Sequence, residues 1–78
     1  MKEIKTDKEL LIEVRNKVAG RIMENKANII YWQYVVQHAK QNSQEIIDAR
    51  KSVELNEDNI KKDTVFLKVI DSMIRKEK

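Results

Sequence analysis

Apolar residues between Asp7 and Lys40 recur at helical rather than strand spacing. At about 100° per residue, Leu11, Val14, Val18, Ile22, Ile29, Trp32 and Val36 fall into one stripe. Ile12, Ala19, Met23, Ala27, Ile30 and Tyr34 fall into a second, about 140° away. Lys26, Gln33, Gln37 and Lys40 occupy the gap between them. A helix packed on one neighbour needs a single apolar stripe, whereas one that is apolar nearly all round is buried. The second stripe therefore predicts a further helical contact. Its small residues, Ala19 and Ala27, would let another helix approach, and Ala19, Met23, Ala27, Ile30 and Tyr34 are the candidate interface.

Three sequences read as helix starts. Thr6-Asp7-Lys8-Glu9 is a capping box, with Asp7 at the positive end of the helix dipole. Asn42-Ser43-Gln44-Glu45 is a second, with an Asn cap ahead of Ile46, Ile47, Ala49 and Val53, although Gln41 and Asn42 can equally sit inside one continuous helix. Asn56-Glu57-Asp58 is a third, an Asn cap with two acids in the first turn, opening a helix from Ile60 to Lys76. Glu57–Lys61, Asp58–Lys62 and Asp71–Arg75 stand four apart with the acid first, and Arg75, Lys76 and Lys78 suit the negative helix end. Ile29–Val36, rich in β-branched and aromatic residues, competes as a strand, but no turn residue bounds it. The predicted fold is all-α: residues 1–78 form a single helical domain of two or three helices with a long first helix, assembling as a helical bundle or coiled-coil-like oligomer.

Length presses the same way. A helix over residues 7–40 runs roughly 50 Å, while a compact chain of 78 residues has a radius of gyration of only about 11–12 Å. The remaining helices, roughly 18 and 30 Å long, can cover one stripe of the first helix but not two. Small domains compensate for a thin core with idealised helix packing, disulfides, metal or oligomerisation. The chain has no cysteine and one histidine, His38, so idealised helix packing and oligomerisation remain and no cofactor is expected.

Charge alters the picture little. Residues 1–40 hold 8 basic and 5 acidic side chains, and residues 41–78 hold 8 of each. The resulting net charge of +3 lacks the concentrated basic stripe of a nucleic-acid binder. The opening Met-Lys-Glu-Ile-Lys is unlike a signal peptide, and Ile29–Val36 is too short to span a bilayer. A cytoplasmic location away from membranes is expected. The abundance of Lys, Ile and Asn (12, 10 and 6) suits AT-rich coding and a bacterial, phage or plasmid source.

Candidate chemistry is sparse. Trp32 and Tyr34 are explained by the stripes, whereas Tyr31 lies outside both and is free to contact a ligand. His38 has no Ser, Asp or Glu within one helical turn and reads as solvated. Gly20 marks either a close crossing or a tolerated weak point. Arg15, Lys17 and Arg21 form a basic surface, balanced in part by Glu9 and Glu13, that could meet phosphates or an acidic protein patch. The expected function is that of a non-enzymatic regulator, inhibitor or adaptor that self-associates and binds another protein through helix faces. The alternative is a nucleic-acid-binding regulator using the basic face of the first helix.

Overall fold

The computed structural model describes residues 5–77, so Lys78 and residues 1–4 lie outside the described residues. Two helices fill most of the chain: α1, Asp7–His38, and α2, Gln44–Lys76. No strand forms among the described residues, and Ile29–Val36 is helical throughout. The Thr6 hydroxyl accepts the Glu9 amide at 3.2 Å and donates to the Glu9 carboxylate, also at 3.2 Å. The carboxylate thus meets the cap's hydroxyl, where a capping box would have it meet the cap's backbone N–H.

The chain does break after α1. Ser43 N–H donates to the Lys40 carbonyl at 3.2 Å, closing a four-residue turn. Asn42 occupies its third position with φ 63°, a left-handed conformation that Asn tolerates better than most residues. This places Asn42 in the turn and moves the cap to Ser43, whose hydroxyl accepts the Ile46 amide at 3.4 Å. The expected cap is displaced by one residue.

The third start signal is overturned. Asn56 lies inside α2, and its side-chain amide donates to the Ser52 carbonyl at 2.6 Å. The acids at 57 and 58 are therefore exposed mid-helix residues, and the described residues form two helices. Asp71, expected to pair with Arg75, accepts a hydrogen bond from Arg15 on the other helix at 2.6 Å.

The helices run antiparallel. Arg15 reaches Asp71, Arg21 reaches Asp63, and Asn28 reaches Asn56, so partners retreat along α2 as they advance along α1. On α2, Ile46, Ala49, Val53, Asn56, Ile60, Asp63, Leu67, Ile70 and Ile74 are buried or half-buried, in unbroken steps of three and four. On α1 the matching row is Leu11, Val18, Ile22, Asn25, Ile29, Trp32, Val36 and Ala39, with exposed Arg15 filling the missing step. The first stripe is thus the face that α2 covers.

The contact is one seam wide. Only Val18, Ala49 and Ile70, at 2%, 0% and 3% exposure, are buried apolar residues among those described. The molecule measures 56 × 28 × 13 Å with a radius of gyration of 17.7 Å, well beyond that of a compact chain of this length. Gly20 marks no crossing, since a Cβ there would meet nothing within 4 Å.

Candidate functional site

What α2 leaves uncovered is the second stripe of α1. Ile12, Ala19, Met23, Ala27, Ile30 and Tyr34 are all exposed, with Ile30 at 69% and Met23 at 65%. Rotation about the helix explains this. The a- and d-like positions of α1 meet α2, and residues about 140° round the axis cannot also touch it. The stripe is a continuous outer face along about six turns, from Ile12 to Tyr34. Tyr34 stacks on His38 with ring centroids 4.1 Å apart, which ties the only histidine to the end of this face. Scattered exposed apolar residues are ordinary on a protein surface, whereas contiguous ones mark an interaction site.

The basic residues sort differently. Arg15 donates to Asp71, and Arg21 grips Asp63 through Nε at 3.2 Å and a terminal nitrogen at 2.9 Å. Both arginines thus fasten α1 to α2 and have carboxylates against them. Lys17 is exposed and stands close enough to Glu13 to help hold that carboxylate's pKa down. The larger cause of that lowering is the hydrogen bond from Lys5. Tyr31 is exposed and packs edge-on against Trp32, with centroids 5.0 Å apart. The phosphate-contact candidates therefore form no single cradle: two of the four are engaged in interhelix pairs.

A second apolar surface was not anticipated from the sequence. Leu10 and Val14 of α1 lie beside Met73 of α2, lining one shallow concavity at the open end of the hairpin. Phe66 and Val69 continue the same stripe of α2, two turns and one turn before Met73, and all five are exposed. The steps of three and four from Phe66 through Val69 to Met73 were the available signal. It was masked because Val14 counts with the core stripe on a wheel, although it sits at that stripe's edge.

Reactive groups do not converge. Among the described residues no group of three His, Cys, Asp or Glu side chains could hold a metal. The roomiest concavity, near the turn, is lined by Gln33, Gln37, Arg50, Glu54, Glu57 and the edges of Val36 and Val53. It is open to solvent and pairs no nucleophile with a base. No helix among the described residues is long and apolar enough to cross a membrane. The chain matches no known protein family, no characterised protein and no solved structure.

Proposed function

We propose that this protein is a small non-enzymatic interaction module, a regulator, inhibitor or adaptor, that binds protein through the outer face of α1. The observation that carries this is the second stripe itself, left exposed over its whole length by the only other helix described. Burying one isoleucine is worth about 1.5–3 kcal/mol, so a face with Ile12, Met23, Ile30 and Tyr34 can supply the energy of a specific complex. In this reading the hairpin is a coiled-coil-like unit that completes a helical bundle by association, and it works in the cytoplasm without a cofactor.

The alternative, a nucleic-acid-binding regulator, would rest on Arg15, Lys17, Arg21 and Tyr31. The engagement of both arginines by aspartates weighs against it. The test has two arms. Labelled single- and double-stranded oligonucleotides are titrated at ~150 mM salt, where non-specific binders show micromolar or weaker affinity. Partners retained by the wild type are then compared with those retained by Ile30→Glu. Loss of a specific protein partner from a variant that keeps its helicity, with no sub-micromolar nucleic-acid binding, supports the proposal. Sub-micromolar binding abolished by changing Arg15, Lys17 and Arg21 to Glu overturns it in favour of nucleic acid.

A further inference from the structure

Resting on the reading that the outer face of α1 binds protein, we infer that its partner is a second copy of this chain, docked antiparallel about a two-fold axis through Met23. The spacing of the face carries the argument. With polar, exposed Asn16 filling the step between Ile12 and Ala19, the face Ile12, Asn16, Ala19, Met23, Ala27, Ile30 and Tyr34 runs in steps of four, three and four, and then again four, three and four. The series reads the same in both directions from Met23. When α1 is laid against an antiparallel copy of itself centred there, every position finds a position of the same face. Met23 meets Met23, Ala19 meets Ala27, Ile12 meets Tyr34, and Asn16 meets Ile30. Sliding the copies by one turn sets Ala27 against Arg15 or leaves Ile12 opposite His38.

Three further observations fit this arrangement. The face repeats every eleven residues, Ile12 to Met23 to Tyr34, a period of about 3.67 per turn that keeps a helix pair in contact with a right-handed supercoil. The inner row of α2 instead keeps steps of three and four, so one hairpin carries two helix-packing periods on its two sides. The facing alanines permit the close approach that an antiparallel pair needs at its two symmetric crossing points, and no like charges come opposite, since Glu13 meets Gln33 and Lys26 meets Gly20.

The surface area agrees. A compact folded chain of 9.3 kDa exposes about 5,000 Å². This hairpin exposes 6693 Å², a surplus well above ~1,000 Å². Each partner in a standard interface contributes about 800 Å². The hairpin therefore has surface to spare for an interface of that size, and a two-fold contact along α1 leaves α2 on the outer side of each protomer.

The chain has no cysteine, which makes single-cysteine cross-linking clean. With helix axes 8–10 Å apart and Cα atoms about 2.3 Å from each axis, facing Cα atoms lie roughly 3.5–5.5 Å apart, a range that overlaps disulfide reach. Residues 19 and 19 of the two copies would be offset by roughly 12 Å along the axis, beyond it. Under copper–phenanthroline oxidation, Met23→Cys is expected to form a disulfide dimer. Ala19→Cys and Ala27→Cys, each alone, should link at least about tenfold more slowly, and a mixture of the two should recover the rate.

Sedimentation equilibrium of the wild type should give twice the chain mass. Self-linking of Ala19→Cys and Ala27→Cys as fast as that of Met23→Cys means a parallel or unspecific contact and overturns the inference. A monomeric wild type with an unlinked Met23→Cys also overturns it. In that last case a separate partner released by Ile30→Glu would leave the broader reading standing, so the two failures are distinct. Met23 is exposed in the hairpin, and circular dichroism checks that each variant keeps its helices.

Discussion

Asn28 and Asn56 meet across the two helices, the Asn28 side-chain amide donating to the side-chain oxygen Oδ1 of Asn56 at 3.3 Å. Asn56 is buried and its own amide is satisfied by the Ser52 carbonyl. One turn away, Asn59 donates to Asn25 at 3.4 Å. Four asparagines therefore form a polar step in the middle of the seam, beside the charged Arg21–Asp63 pair. A polar pair that closes in only one alignment fixes register and direction at some cost in stability. Slipping α2 by one turn would part Asn56 from Asn28 and Asn59 from Asn25 together.

Asn56→Leu follows as the first prediction. The leucine fills a similar volume, and Asn28, being exposed, keeps water as a partner. The variant should be more stable by about 1–2 kcal/mol yet less specific in register. Denaturant unfolding gives the first quantity, and extra amide resonances from slipped or alternatively associated forms give the second. A lower unfolding midpoint would show that the Asn56 hydrogen bonds outweigh burial.

The same residue shows where the sequence was legible and where it was not. Asn followed by two acids is a sound local cap signal, and it misled because Asn56 also completes the row from Ile46 to Ile74 in steps of three and four. The tertiary row outweighed the local preference. Both stripes of α1 were legible because thirty-two continuous residues average out single exceptions. Arg15 and Arg21 were not: on one helix they read as a free basic face, and only the antiparallel alignment brings Asp71 and Asp63 to them. The open-end patch of Leu10, Val14, Phe66, Val69 and Met73 depends on that alignment too.

Arg21 and Asp63 give a second prediction. Asp63 is largely shielded while Arg21 is more than half exposed, so the guanidinium keeps a semi-buried carboxylate in company. Arg21→Ala should cost about 1–2 kcal/mol in unfolding free energy, by stranding that carboxylate in a partly screened site. Arg21→Lys should fall in between, since it keeps the charge but loses the two-pronged grip. An alanine variant as stable as wild type would mean the pair contributes nothing.

Gly20→Ala should stabilise. Gly20 lies in mid-α1 without a positive φ, and a Cβ there has open space around it. Alanine is favoured over glycine inside a helix by about 0.8–1.0 kcal/mol, which for a domain of this size raises Tm by roughly 4–8 °C. A lower Tm would place a neighbouring copy's backbone against Gly20.

Acid should loosen the start of α1. The Lys5 ammonium donates to the Glu13 carboxylate, and this bond, helped by the nearby charges of Lys5 and Lys17, holds the Glu13 pKa below its ordinary value against the opposing effect of desolvation. Because the folded pKa is depressed, the contribution is present above the ordinary glutamate value and disappears as pH falls through the lower folded one. The pair is solvent-exposed, so the effect on overall stability is small. Carboxyl NMR titration should find Glu13 below the ordinary glutamate value, with Lys5→Ala returning it toward that value. A Glu13 that titrates unchanged in Lys5→Ala would remove the contact from consideration.

Ile30→Glu and Ile70→Glu separate the two faces of the hairpin. Ile70 is shut inside the seam and Ile30 stands outside it. A glutamate at 70 must bury a charge without a partner, on top of losing an isoleucine whose truncation alone costs about 2–5 kcal/mol. With a core one seam wide, Ile70→Glu should lose most of its helical circular dichroism. A glutamate at 30 costs the isolated hairpin nothing, so helicity should persist. Its effect falls on association, where each isoleucine counts twice in a two-fold interface and roughly 3–6 kcal/mol is at stake. Since about 1.4 kcal/mol is tenfold in affinity, dissociation should rise at least about a hundredfold. Association also stabilises the folded state by mass action, so the wild-type Tm should climb with protein concentration while that of Ile30→Glu stays flat. If Ile30→Glu unfolds as Ile70→Glu does, folding and association are one event. If it changes neither mass nor the concentration dependence of Tm, the outer face of α1 is solvent surface, and the open-end patch around Phe66 becomes the surface to mutate next.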